Sequence, residues 1–165
     1  IDTKTRLVTS DFDFLLLGDG FSKLLNELKN KSEIEISTTS IIDNIETDPF
    51  GWISFNLHLK KLNYSTLIEF ININSFEKKY RNKLVSIIER NKKYLKVKDT
   101  LIYYLPVEII FAMRLAITDW KTYIHKINAH ITELKVYGVT ISREKFKDII
   151  KKLDLEDRAS LIKFD

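Results

Sequence analysis

Two runs of this chain, WISFNLHL (Trp52–Leu59) and TLIEFIN (Thr66–Asn72), are separated by only the short link KKLNYS. In the first run Ile53, Phe55, Leu57 and Leu59 fall on one face and Trp52, Ser54, Asn56 and His58 on the other. That alternation is the period of a strand. A link this short joins two strands only as a hairpin, so the pair is antiparallel. The chain is therefore committed to a sheet. Its 165 residues, 44% of them hydrophobic, suffice for one domain with a real core, or for a small domain with a helical annex.

The rest of the chain is read around that hairpin. DFDFLLL (Asp11–Leu17) is a strand closed by Gly18-Asp19-Gly20. Phe21, Leu24, Leu25 and Leu28 recur at helical spacing, predicting an amphipathic helix over Phe21–Lys31. Glu33–Ser37 alternates as a short strand, and Thr38–Phe50 reads as a polar loop. Ser75 is a candidate N-cap for a helix marked by Phe76, Tyr80, Leu84, Ile87 and Ile88 and ending near Asn91. Tyr94–Leu105 reads as extended.

After Pro106 the pattern turns helical: Val107–Ile117 with proline at its first turn, then Asp119–Leu134. A third helix, Arg143–Lys152, is capped by Ser142 with Glu144 in its first turn, and a short fourth covers Leu155–Phe164. A mixed α/β part thus runs over residues 1–104 and a helical part over 105–165.

The net charge of +4 is compatible with a nucleotide or nucleic-acid partner without requiring one. Positive charge concentrates in KKYRNKLVSIIERNKKYLKVK (Lys78–Lys98), which reads as a solvated helix face, with a binding patch as the alternative. The absence of cysteine excludes disulfides and thiolate metal sites. No apolar run reaches the length of a membrane span: LIYYLPVEIIFAMRLAI is interrupted by Pro106, Glu108 and Arg114. A cytoplasmic protein with no membrane partner is expected. His58, His125 and His130 lack metal-ligand spacing, and Trp52 and Trp120 read as core or interface residues.

The chemistry-bearing feature is the pair Asp11 and Asp13 at the mouth of an apolar strand. Alternation puts both on one face. Carboxylates that close repel unless a cation lies between them, and a hard divalent ion such as Mg²⁺ suits oxygen ligands and substrate phosphates alike. Glu69, which interrupts the apolar LIEFI, is the candidate third ligand if its strand pairs with Asp11–Leu17. Against this stands a plainer reading, strand-end charges left in solvent.

The segment RLVTSDFDFL (Arg6–Leu15) resembles the nucleotidyltransferase superfamily of the DNA polymerase β type. It is closest to the small prokaryotic branch that includes nucleotidyltransferase-like toxins of abortive-infection and toxin–antitoxin systems. There an Arg-x-x-Thr-x-Asp-x-Asp segment opens the active-site strand; here it is Arg6, Thr9, Asp11 and Asp13. LPVEIIFAMRLAITDWKTYIHKI is similar to the family's later helices, with Arg114 where the toxin-like members usually have lysine and Asp119 where a later aspartate falls.

The resemblance implies an α/β (α+β) fold, a mixed sheet with flanking helices followed by a helical part. It also implies transfer of a nucleoside monophosphate from a nucleoside triphosphate to an RNA 3′ end, tRNA included, or to a protein hydroxyl. Asp11, Asp13 and Glu69 become the Mg²⁺-binding catalytic set, and Arg6, Thr9, Ser10, Arg114 and Asp119 the nucleotide-binding set. The toxin branch implies an antitoxin protein as partner.

Three departures from the family pattern stand out: Arg for Lys at 114, Glu for Asp at 69, and no Gly-Gly or Gly-Ser ahead of the aspartates. That motif is expected upstream of Ile1 in an active enzyme. Its absence there would mark a degenerate domain, a binding module of the same fold. An unrelated α/β RNA-binding protein using the basic Lys78–Lys98 segment is the remaining rival.

Overall fold

The computed structural model describes residues 11–16, 27, 30, 34–40, 52–59, 64–73 and 76–164. The chain divides into two compact units, Ile1–Ser75 and Phe76–Asp165. The fold is mixed α+β, with a small sheet and several helices.

The first unit holds a four-stranded sheet of β1 (Asp11–Leu16), β2 (Ile34–Ser40), β3 (Trp52–Leu59) and β4 (Tyr64–Asn72), in the order β1-β4-β3-β2. β3 and β4 form the antiparallel hairpin that the short link dictates, with Leu59 opposite Tyr64 and Trp52 opposite Ile71. β2 extends to Ser40, three residues into the expected loop, across a register irregularity between Ser37 and Ser40. β1 joins the far side of β4 in parallel. Along β4 burial alternates. Thr66, Ile68 and Phe70 are buried, whereas Leu67, Glu69 and Ile71 are half-exposed. On the side of these buried residues Phe70 stacks on Phe14, ring centroids 5.3 Å apart, with Phe14 itself exposed. The helix expected over Phe21–Lys31 lies almost wholly outside the described residues, as does Ser75.

The second unit begins with α1 (Lys78–Asn91), whose Tyr80, Leu84, Ile87 and Ile88 are buried. Lys78, Lys79, Lys83 and Arg90 stand exposed on its other side, the solvated face that the charge run predicts. The hairpin β5 (Lys93–Val97) and β6 (Thr100–Tyr104) follows. The sequence-based boundary near residue 104 lies inside this second unit, at the end of the hairpin. Then come α2 (Val107–Ala116), a 3₁₀ turn (Trp120–Thr122), α3 (Tyr123–Val136), α4 (Arg143–Leu153) and the single turn α5 (Glu156–Ala159). The last is shorter than the helix expected over Leu155–Phe164.

α2 is buried nearly all round, through Ile109, Phe111, Ala112, Met113, Leu115 and Ala116. α1, α3 and α4 pack on it. Two polar groups tie these helices. Glu108, buried in the first turn of α2, accepts the Ser142 backbone N–H at 2.9 Å. Ser142 in turn caps α4, its hydroxyl accepting the Lys145 N–H at 3.2 Å. Ser142→Ala removes that acceptor while leaving the Glu108 bond in place. It should lower stability by about 1 kcal/mol, seen as a lower urea midpoint at unchanged m-value. α3 ends on Gly138, at φ 70°, where Val139 N–H reaches back to the Leu134 carbonyl at 2.8 Å. Left-handed backbone at that position is what a glycine adopts without cost.

Candidate metal centre

In the parallel ladder between β1 and β4, Asp13 is the register partner of Glu69, and Asp11 that of Leu67. Register partners in a sheet share a face, and adjacent strands lie about 4.8 Å apart. Asp13 is exposed and Glu69 half-exposed, on the face opposite the Phe14–Phe70 stack. Two carboxylates one strand spacing apart repel by roughly 1 kcal/mol in water and several-fold more at a protein surface. A divalent cation between them reverses the sign. Their hard oxygens and open setting fit Mg²⁺, which keeps waters and substrate phosphates in its shell.

The sequence could suggest that Glu69 approaches the aspartates. It could not give the register, which sets Glu69 level with Asp13 rather than with Asp11. Asp11 lies two positions back along β1; its side chain, with Arg6, Thr9 and Ser10, is outside the described residues. Among the described residues no group of three metal-ligating side chains gathers. His58 lies on the Glu69 face of β3, but its register partner is Ser65 while Ser54 is opposite Glu69. Four residues of strand are roughly 13 Å, too far to join the carboxylates.

Arg114 and Asp119 belong to the second unit. Arg114, half-buried near the end of α2, sets Nη1 2.6 Å from Nδ1 of His130 on α3. A guanidinium only donates, so Nδ1 is the acceptor of this contact. Sequence reasoning tested the histidines for metal spacing and missed this partner. Asp119 is exposed, and its side chain caps nothing. Instead its carbonyl accepts the Thr122 hydroxyl at 2.8 Å and the Thr122 N–H at 3.2 Å, which starts the 3₁₀ turn.

A cleft of about 350 Å³ in the second unit borders Tyr80, Trp120 and Arg158. Arg158 donates Nη1 to the Leu115 carbonyl at 2.7 Å and Nη2 to Glu77 at 2.5 Å. Its guanidinium carbon lies 4.9 Å from the Trp120 ring centre and 5.3 Å from that of Tyr80. With those partners Arg158 serves packing. Beside it Lys79 sits 4.7 Å over the Tyr80 ring, and Tyr80 first, then Glu77, holds the Lys79 ammonium above its usual pKa.

No protein-family model matches the chain, and neither a curated protein nor a solved structure does. The candidate site therefore rests on its own residues and on the resemblance of the Arg6–Leu15 segment.

Proposed function

We propose that the chain is a Mg²⁺-dependent nucleotidyltransferase that moves a nucleoside monophosphate from a nucleoside triphosphate to an acceptor hydroxyl, on an RNA 3′ end or on a protein. One observation carries the reading: Asp13 and Glu69 are register partners on adjacent strands, Asp13 exposed and Glu69 half-exposed. The Arg6, Thr9, Asp11, Asp13 segment supports it from the sequence side.

In this reading the acceptor oxygen attacks the α-phosphorus. A new P–O bond forms, the bond from that phosphorus to the bridging oxygen breaks, and pyrophosphate leaves. The Glu69 carboxylate takes the acceptor's proton. Asp11 and Asp13 would hold the cation that the triphosphate oxygens need beside two carboxylates, and Arg6, Thr9 and Ser10 bind the nucleotide ahead of them. Bound by Asp11, Asp13 and Glu69, Mg²⁺ supplies neutralisation of the phosphate charge and a lower pKa for the attacking hydroxyl. Arg114 and Asp119 keep their roles, phosphate contact and orientation of phosphate or acceptor, from the resemblance alone. As a member of the toxin branch, the protein would be held in check by an antitoxin.

The test is incubation with each α-³²P-labelled nucleoside triphosphate, Mg²⁺, total RNA and a cell extract. Label should pass to one acceptor class, from one or a few of the four triphosphates, and chelation should stop it. No label on any acceptor would favour the second reading, a non-catalytic module of the same fold. The engagement of Arg114 with His130 speaks for that second reading, since a phosphate would have to share the guanidinium.

A further inference from the structure

The β5–β6 hairpin takes no part in the carboxylate site, yet its composition is specific. Every residue from Lys93 to Tyr104 is exposed. Tyr94 and Tyr103 are cross-strand partners, 63% and 56% exposed, with ring centroids 6.4 Å apart in an edge-to-face pair. Lys96 follows Tyr94 on the same face, opposite Leu101. Lys92 places its ammonium 4.8 Å over the Tyr103 ring and donates to Glu89 at 2.6 Å. That hydrogen bond is the main cause of a pKa above the ordinary lysine value, so the cation persists beside the ring.

From Glu89 to Asp99 the chain carries five cations, Arg90, Lys92, Lys93, Lys96 and Lys98, against the two carboxylates Glu89 and Asp99. The surplus of three is most of the protein's net +4, confined to one helix end and one hairpin. Lys98 stands at the two-residue turn with φ 54°, a left-handed conformation that a lysine enters only at a cost and a glycine enters freely. The tip thus carries an ammonium where backbone preference alone asks for glycine.

We propose that the Tyr94–Tyr103 face of this hairpin docks single-stranded nucleic acid, with bases stacking on the tyrosines and phosphates meeting the surrounding lysines. Exposed aromatic rings set among cations match a polymer that alternates π-faces with phosphates. The cations set around the ring pair favour a polyanion with π-faces over a partner that is purely apolar. The surface stands independently of the nucleotidyl-transfer reading; where both hold, it makes the acceptor a nucleic acid.

The test is binding of a fluorescently labelled 15-nucleotide single-stranded RNA to the full chain, in EDTA and without triphosphate, so that it is blind to catalysis. Tyr94→Thr/Tyr103→Thr keeps strand propensity and should weaken binding about tenfold or more. Lys96→Gln should reduce the slope of log K against log salt by about 0.7. Lys98→Gly separates folding from binding: it should raise the melting temperature while weakening binding about twofold. Absence of binding at low salt, or double-threonine binding within about twofold of wild type, overturns the proposal. So does a concentration-dependent dimer, lost in the double variant, with no RNA bound, which would assign the face to a second copy of the chain.

Discussion

Asp13→Asn should lower nucleotide transfer on the order of a thousandfold while the urea unfolding curve stays close to that of the wild type. The two halves of this expectation come from the same place in the sheet. Asp13 is exposed at its position on β1, so the amide loses no packing. What goes is the charge. A neutral amide opposite Glu69 ends the repulsion between the two groups, and for the same reason it ends their joint hold on a divalent ion. Electrostatic groups aimed at a transferring phosphoryl group are typically worth ~10²–10³ each when removed. A metal ligand belongs at the upper end, because the ion's own contribution leaves with it. Glu69→Gln should follow in direction and to a similar extent, since it removes the other half of the same carboxylate pair. Equal labelling by wild type and Asp13→Asn would remove the catalytic proposal and leave the sheet as a scaffold.

The largest effect on stability should come from Arg158→Ala, a loss of roughly 2–4 kcal/mol. Arg158 and Glu77 have side chains only 15% and 25% exposed, so their ion pair is well shielded from solvent. Truncation strips the Leu115 carbonyl of one donor, removes the cation beside the Tyr80 and Trp120 rings, and strands the Glu77 carboxylate. Loss of one partner of a buried pair costs ~3–5 kcal/mol; Glu77 keeps some access to water and to Lys79 at 3.5 Å, which tempers it. Arg158→Lys should recover only part, because a single ammonium cannot bond a carbonyl and a carboxylate in the fork geometry of a planar guanidinium. Urea unfolding of the three proteins measures this. A loss under about 1 kcal/mol for Arg158→Ala would mean that the contacts are incidental. For a domain stable by ~5–15 kcal/mol, the expected loss is a large fraction.

What could be read from the sequence follows from range. The β3–β4 hairpin was legible because its alternation and its link are both local. α4 was legible because its cap, Ser142, and the first-turn Glu144 lie two residues apart. The parallel β1–β4 ladder is the opposite case. Nothing within either strand names the other, and the Asp13–Glu69 register depends on pairing across more than fifty residues. The start of α1 moved for a tertiary reason. Phe76 bridges Ile117 and the Glu77 N–H bonds the Ala116 carbonyl at 3.1 Å, which keeps the chain extended until Lys78. The β5–β6 turn was hidden because it uses Lys98 and Asp99 in place of the glycine or asparagine that punctuates most tight hairpins. Arg114 shows how a site residue can be read for its charge and misread for its neighbour: its spacing on α2 says nothing of His130, sixteen residues on.

Whether residues 13 and 69 hold one ion together can be measured without any turnover. Titration of Mn²⁺ into the full chain, with the free ion followed by electron paramagnetic resonance, should show a site in the wild type. Asp13→Asn, Glu69→Gln and the double variant should each weaken that site to a similar extent, so that the two losses do not add. No bound Mn²⁺ in the wild type, or single variants that bind it as the wild type does, would contradict the shared site on which the enzymatic proposal stands.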